Sequence, residues 1–169
     1  MVQALELGTL ATELVVTGGT ASAASELTAF DAALCDAGIH DANLIRVSSV
    51  TPAEATVVLD QSSHELEKAI TPGRFVPAVY AHMSTNESGA HVFAAVAGAE
   101  LEAGYGINVE LHGTHPNEAE ILVECESMLR EMAAARNTSL ANDPWVHVED
   151  VVHDGSAEWS SALAAIVYF

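Results

Sequence analysis

The stretch FDAALCDAGIHDANLIRVSSVTP (residues 30–52) holds the features that decide how this chain folds. Its first half carries apolar residues at helical spacing, and Gly38 follows the last of them as a natural helix terminator. Its second half, residues 43–50, is apolar and β-branched, which indicates a strand that ends at Thr51-Pro52. The stretch therefore predicts a helix, a tight turn and a strand that contains two adjacent serines.

Upstream of the turn, the sequence predicts a strand and the start of the helix. Residues 12–17 are typical of a short buried strand, which we expect to end at Gly18-Gly19. Ser25 can cap the helix with Thr28 in its first turn. The apolar face expected for this helix consists of Leu27, Phe30, Leu34 and Ala37.

Downstream, residues 60–74 are a polar stretch and residues 117–136 form the clearest helix. The apolar face expected for that helix consists of Ala119, Leu122, Val123, Met128, Leu129 and Met132. Segments with the character of strands are residues 55–59, 78–84, 90–98, 105–112, 145–152 and 162–168. We expect 78–84 and 90–98 to pair across the turn at 86–89. Two main helices and about seven strands predict an α/β or α+β sandwich.

The chain is strongly acidic: its 169 residues include 24 Asp+Glu but only 5 Lys+Arg, a formal net charge of −19. Nucleic acid and anionic membranes require a cationic face, so the charge balance argues against both as partners. The acids could form a cation-binding surface or adapt the protein to a salty cytoplasm. Since they are spread along the whole chain and Lys68 is the only lysine, we favour adaptation to salt. Without a basic N-terminal region or a bilayer-length apolar run, we expect a soluble, cytoplasmic protein.

Three other motifs have simple structural interpretations. Cys35 and Cys125 lack metal or disulfide spacing, and we expect both to be buried, reduced thiols. The segment VTGGTAS (residues 16–22) resembles a phosphate-binding loop but lacks the required lysine, so a turn between strand and helix is favoured. His112 and His115 could bind a metal beside Glu110, although a polar loop edge is favoured, and no metal site is predicted.

The adjacent serines Ser48 and Ser49 are, by composition alone, most simply two strand residues bonded to the backbone. However, the whole stretch resembles the pyruvoyl-dependent arginine decarboxylases. The pattern of that family appears at residues 30–34 (FDAAL), 37–39 (AGI), 43–44 (NL) and 47–50 (VSSV). The resemblance continues through 104–106 (GYG) and Glu110 to residues 118–120 (EAE), so it spans nearly the whole chain.

The resemblance implies an unusual cofactor. Decarboxylating an amino acid requires an electron sink, and a single lysine leaves little room for the usual pyridoxal phosphate anchor. In the family, the chain cuts itself between the residues matching Ser48 and Ser49, and Ser49 becomes a pyruvoyl group. The expected products here are fragments 1–48 and 49–169 of a single domain. The reaction expected is the decarboxylation of L-arginine to agmatine, a precursor for polyamine-type synthesis.

The resemblance also implies roles for three further residues and an assembly. Asn43 would donate to the oxyanion during cleavage, or else only satisfy a turn. Glu110 would return a proton to the substrate carbon, or else be a solvated strand-end acid. Asp31 would face the guanidinium of arginine, or else be a surface acid of the helix. The family fold is a four-layer α/β/β/α sandwich, an α+β architecture, in a trimeric homo-oligomer with active sites between protomers.

Two alternative functions remain at this level. A pyruvoyl enzyme of the same kind could act on lysine, histidine or another amino acid. An uncleaved chain of the same fold could instead be a non-catalytic binding or assembly subunit.

Overall fold

The computed structural model describes residues 9–59 and 62–169, in which it places three helices and nine strands. The helices are α1 (Glu26–Asp36), α2 (Ser63–Ala69) and α3 (Glu118–Ala134). The strands are β1 (Glu13–Ala23), β2 (Asn43–Arg46), β3 (Val50–Thr51), β4 (Thr56–Val58), β5 (Phe75–Thr85), β6 (His91–Glu100), β7 (Gly106–Thr114), β8 (Trp145–Val152) and β9 (Trp159–Tyr168). No helix of the described residues is both long and apolar enough to cross a membrane.

The strands form two sheets. The first sheet has the order β2-β5-β9-β1-β4, and the second has the order β3-β7-β6-β8. Long antiparallel ladders join β9 to both β1 and β5, and β6 to both β7 and β8. Two sheets with helices that follow no regular βαβ repeat confirm the α+β class predicted from the sequence.

Side-chain alternation along the strands divides the core into three clusters. Between the two sheets, Val16 and Ile166 of the first pack with Val96 of the second. On the other face of the first sheet, Ala33 of α1 packs against Val15 and Leu163. On the other face of the second sheet, the cluster consists of Ile121, Cys125 and Leu129 of α3 with Ile107 and Val109 of β7. Residues of each sheet therefore contribute to two of the three clusters.

The two helices predicted from the sequence are confirmed, but their buried faces agree with the prediction only in part, at Ala37 and Leu129. Ser25 caps α1 and forms a reciprocal capping box with Thr28, as expected. However, Leu27 is 74% exposed, and the residues that α1 buries are small, Ala29 and Ala33. In α3, Leu122 and Val123 are exposed, and the buried face consists of Ile121, Cys125, Leu129 and Ala133. In α1 the small buried residues allow the helix to lie close to the first sheet, whereas α3 buries the larger Ile121 and Leu129.

Strand β1 does not end at Gly18-Gly19 as predicted but continues through both glycines to Ala23. These glycines provide space rather than a turn. A Cβ at Gly19 would lie 2.5 Å from the carbonyl oxygen of Ala33 in α1, and one at Gly18 would lie 2.3 Å from Cγ of Glu149 in β8. The glycines of residues 16–22 therefore bring a helix and a second sheet close to β1.

Four further predictions from the sequence are wrong. Residues 43–50 do not form one strand that contains both serines, because β2 ends at Arg46 and Val50 begins β3 in the other sheet. Strands β5 and β6 do not pair with each other, because the turn between them carries the chain from the first sheet to the second. Helix α2, capped by Ser62, occupies part of the stretch predicted to be a polar loop, of which residues 60–61 lie outside the described residues. Cys35 is exposed, whereas Cys125 is buried as expected.

We predict that Gly19→Ala lowers the free energy of unfolding by about 1–3 kcal/mol, because the new methyl group meets rigid helix backbone. Gly18→Ala is the matched control, since its neighbours are the side chains of His147 and Glu149, which can move aside. Urea unfolding at equal protein concentrations checks the difference. Equal destabilisation by the two variants would contradict this account of the close approach.

Candidate active site

Ser48 and Ser49 lie where the chain passes from one sheet to the other. Val47 still belongs to the first sheet, because its N–H donates to the carbonyl oxygen of Ala78 in β5 (3.1 Å). Val50 already belongs to the second sheet, where it pairs with Ile107 of β7. The two serines alone therefore span the gap, and the bond between them is held from both ends.

Ser49 has a backbone φ of +32°, one of three positive values among the non-glycine residues described. The other two, at His115 and Asn137, are +55° and lie within the ordinary left-handed region. The value at Ser49 falls short of that region, which is unfavourable for a residue with a Cβ and costs about 1–3 kcal/mol. The surrounding structure must hold this conformation in place.

Strand β7 supplies that restraint through β3. The N–H of Asn108 donates to the carbonyl oxygen of Ser49 (3.0 Å), while Thr51 pairs with Gly106. Gly106 makes this pairing possible, because a Cβ there would lie 2.9 Å from Cβ of Thr51. The two-residue strand β3 is thereby fixed on the edge of the second sheet directly after Ser49.

A buried polar network lies behind this edge, between the sheets. The side-chain amide of Asn108 donates to Oγ1 of Thr51 and to the hydroxyl oxygen of Tyr168, both at 2.9 Å. The pKa of Tyr168 is raised to about 12, chiefly because burial disfavours the charged phenolate. The hydrogen bond from Asn108 opposes this rise, and the charge of Glu110 adds to it. Sequence reasoning missed this network. Its one signal was an asparagine in the otherwise apolar start of the strand GINVELH.

Glu110 lies on the same side of β7 as Asn108. Ile107 and Val109 face α3, so the alternation of the strand directs Asn108 and Glu110 toward the first sheet. Glu110 is half-buried, and its charge acts on Tyr168 of the inter-sheet cluster. The acid predicted from the sequence therefore lies at the same inner face as the network behind Ser49.

Asn43 begins β2, six residues before Ser49. Its side-chain amide donates to the carbonyl oxygen of Gly73 (2.8 Å), and its backbone N–H donates to that of Arg74 (2.7 Å). These contacts match the alternative role considered for it, that of satisfying a turn. A role for Asn43 in the chemistry remains a prediction.

Asp31 is exposed on α1. Helix α1 packs on the outer face of the first sheet, whereas Glu110 faces the inner side of that sheet. The first sheet therefore lies between the two carboxylates. A single site that uses both would need Asp31 from one protomer and Glu110 from another.

A cavity of about 550 Å³ lies at the end of the sandwich next to this network. It is bounded by β3 and the loop after it, by the β6–β7 turn and by the segment that enters β8, and its polar wall includes Thr51, Asn108 and Glu100. Thr51 and Asn108 therefore belong both to the cavity wall and to the network behind Ser49. Within residues 9–59 and 62–169, no group of three His, Cys, Asp or Glu side chains could hold a metal ion.

The fold and the site together define a class of protein. It is an α+β protein of two packed sheets, with a strained serine pair where the chain crosses from one sheet to the other. The family model of the pyruvoyl-dependent arginine decarboxylases matches residues 13–169. A pyruvoyl-dependent arginine decarboxylase of Methanothermobacter thermautotrophicus is 33% identical over 156 residues, covering 92% of this chain and 95% of the relative. The one of Pyrococcus furiosus is 34% identical over 158 residues, covering 92% and 93%. One from Halobacterium salinarum is 62% identical over 39 residues, 23% of this chain and 24% of the relative.

The chain belongs to the pyruvoyl-dependent arginine decarboxylase family, as the resemblance of residues 30–52 predicted.

The raised pKa of Tyr168 predicts a specific loss of stability in alkali. The folded state holds the phenol neutral up to about pH 12, whereas the unfolded chain loses the proton near its ordinary value of 10. The contribution to stability is therefore complete below the unfolded value and is lost as the pH rises from 10 to about 12. Tyr168→Phe removes this contribution, so the free energy of unfolding of the variant should fall less steeply with pH than that of the wild type over the same pH range.

Chemical unfolding at a series of pH values checks this prediction. Tyr105→Phe is the control, since it removes the phenol of a cavity-lining residue outside the network. The thiol of Cys125, whose pKa burial raises to about 11, contributes equally in all three proteins. Parallel pH curves for Tyr168→Phe and the wild type would contradict the prediction.

Proposed function

We propose that this chain cleaves itself between Ser48 and Ser49 and then decarboxylates L-arginine to agmatine with a pyruvoyl group made from Ser49. The observation that carries the proposal is the strained Ser49, at φ +32°, in a chain of this family. The unfavourable backbone of Ser49 destabilises the intact state relative to the cleaved one. The fragments would be 1–48 and 49–169 of one domain.

Cleavage requires only groups of the chain and one water molecule. Oγ of Ser49 attacks the carbonyl carbon of Ser48, the amide C–N bond breaks and the nitrogen takes the proton, which leaves an ester. Loss of the Cα proton of Ser49 with cleavage of the Cβ–O bond releases a carboxylate at Ser48. The remaining dehydroalanine adds water and loses ammonia, which yields the ketone of the pyruvoyl group.

The residues around Ser49 fit such a group. Ser49 is half-buried, so water can reach it for the last step, and its carbonyl oxygen is held by the N–H of Asn108. Once formed, the group supplies the electron sink that decarboxylation needs. The chain's own residues then bind the substrate and move the proton: Asp31 binds the guanidinium, Asn43 donates a hydrogen bond during cleavage, and Glu110 gives a proton to the substrate carbon.

The assembly is part of the proposal. We propose a trimer of a four-layer α/β/β/α sandwich, in a cytoplasmic protein, with sites between neighbouring protomers. The separation of Asp31 and Glu110 by the first sheet supports a shared site. Exposed apolar side chains of Ile45 in β2, Val50 in β3 and Phe75 at the start of β5 support contact with another protomer there.

One prediction of the proposed function concerns the nucleophile. Ser49→Ala should abolish cleavage and arginine decarboxylation together, because no Oγ remains to attack the Ser48 carbonyl. Ser48→Ala is the matched control: it keeps that carbonyl and should still cleave. Intact mass and carbon dioxide release from labelled arginine report the two steps separately. Cleavage of Ser49→Ala at the same bond would contradict the assignment.

Another prediction of the proposed function tests whether Asp31 and Glu110 of different protomers share one site. Asp31→Ala and Glu110→Gln should each cleave normally but decarboxylate arginine at least about a hundredfold more slowly. Equal mixing of the two variants during refolding should restore about a quarter of wild-type activity, the fraction of sites that receive both intact residues by chance. An activity of the mixture no greater than that of the separate variants would contradict a site shared in this way. Activity of Asp31→Ala on a different amino acid would favour the alternative substrate.

A further inference from the structure

Asn108 is an unusual residue for its position. It is 2% exposed near the start of a strand whose adjacent residues, Ile107 and Val109, are apolar core. An amide buried without partners is costly, so its hydrogen bonds must offset the loss of water. Both donors of its side chain are used, one on Thr51 and one on Tyr168.

These contacts converge on the residues next to the scissile bond. The backbone N–H of Asn108 holds the carbonyl oxygen of Ser49, and its side chain holds Oγ1 of Thr51. One residue of β7 therefore anchors the short strand β3 at two points, on either side of Val50. Two anchors this close together leave the backbone of Ser49 little freedom to relax from its φ of +32°.

The neighbouring strand is shaped for this amide. Gly98 of β6 pairs directly with Asn108, and a Cβ there would lie 2.4 Å from Oδ1 of Asn108 and 2.5 Å from the ring of Trp145. The missing side chain leaves room for the amide oxygen on the side of β6. The amide nitrogen is thereby directed the other way, toward Thr51 and Tyr168.

We propose that Asn108 is a positioning residue for self-cleavage, whose side-chain amide holds Thr51 so that its own backbone N–H keeps Ser49 in the reactive conformation. This inference rests on the proposed function. Attack by Oγ on the preceding carbonyl closes a five-membered ring, which requires a fixed φ at the attacking residue. The carbonyl oxygen of Ser49 survives cleavage, so the same hydrogen bond holds the new N-terminus of fragment 49–169.

The test measures the rate of self-cleavage and needs no decarboxylase activity. The full chain is made by cell-free synthesis, samples are stopped in denaturant at intervals, and intact precursor is separated from the two fragments. Asn108→Leu keeps the backbone N–H and the approximate volume of the side chain but removes the amide. We expect its cleavage to be slower than that of the wild type by about 10- to 100-fold.

Thr51 supplies a second pair of variants should Asn108→Leu fail to fold. Thr51→Val removes the hydroxyl that the amide holds and should slow cleavage, whereas Thr51→Ser keeps it and should cleave at nearly the wild-type rate. Asn108→Leu combined with Thr51→Val should be no slower than Asn108→Leu alone, because both remove the same contact. If the contact between Asn108 and Thr51 had a purely structural role, these variants would have a lower Tm, and Thr51→Ser would not restore the rate of cleavage.

The outcomes distinguish a failure of the proposed function from a failure of the inference about Asn108. A wild-type chain that stays intact overturns the proposed function and this inference with it. A wild-type chain that cleaves, while Thr51→Val cleaves at the same rate as Thr51→Ser, overturns the inference alone.

Discussion

The passage of the chain between its two sheets at Ser48-Ser49 is the constraint on which the site depends. Val47 is bonded to Ala78 in the first sheet, and Val50 is paired with Ile107 in the second. Two residues must bridge the gap, and they do so with a backbone conformation at Ser49 that a residue with a Cβ adopts only under restraint. Strain concentrated at one peptide bond is what a self-cleaving chain requires.

Close packing around this crossover explains why so many neighbouring residues are small. Gly106 leaves room for Thr51, Gly98 leaves room for the amide of Asn108, and Gly19 leaves room for helix α1 on the opposite face of the first sheet. Gly18 of β1, where a Cβ would meet Glu149 of β8, likewise lets the first sheet lie close to the second. The polar network of Asn108 then fixes Thr51, which follows the Ser48-Ser49 link in the second sheet, and this network is buried away from water.

Much of the secondary structure could be predicted from the sequence because its signals are local. The capping box of Ser25 and Thr28 and the long periodic segment of α3 are examples. Strand pairing could not be predicted, because β5 and β6 are neighbours in sequence but belong to different sheets, and only contacts distant in sequence decide this. The glycines of residues 16–22 were misread for the same reason, since what they make room for lies on α1 and β8.

The candidate site divides in the same way. The serine pair and Glu110 were found through the family pattern, whereas Asn108 and Tyr168 acquire their meaning only when the two sheets pack together and bring these side chains within hydrogen-bond distance. Self-cleavage remains the claim on which every functional statement depends. The intact mass of the purified wild-type protein in denaturant tests it most directly. The account predicts two polypeptides, residues 1–48 and 49–169, the larger lighter by one ammonia than a fragment beginning with serine. A single polypeptide with the mass of the uncleaved chain would contradict it.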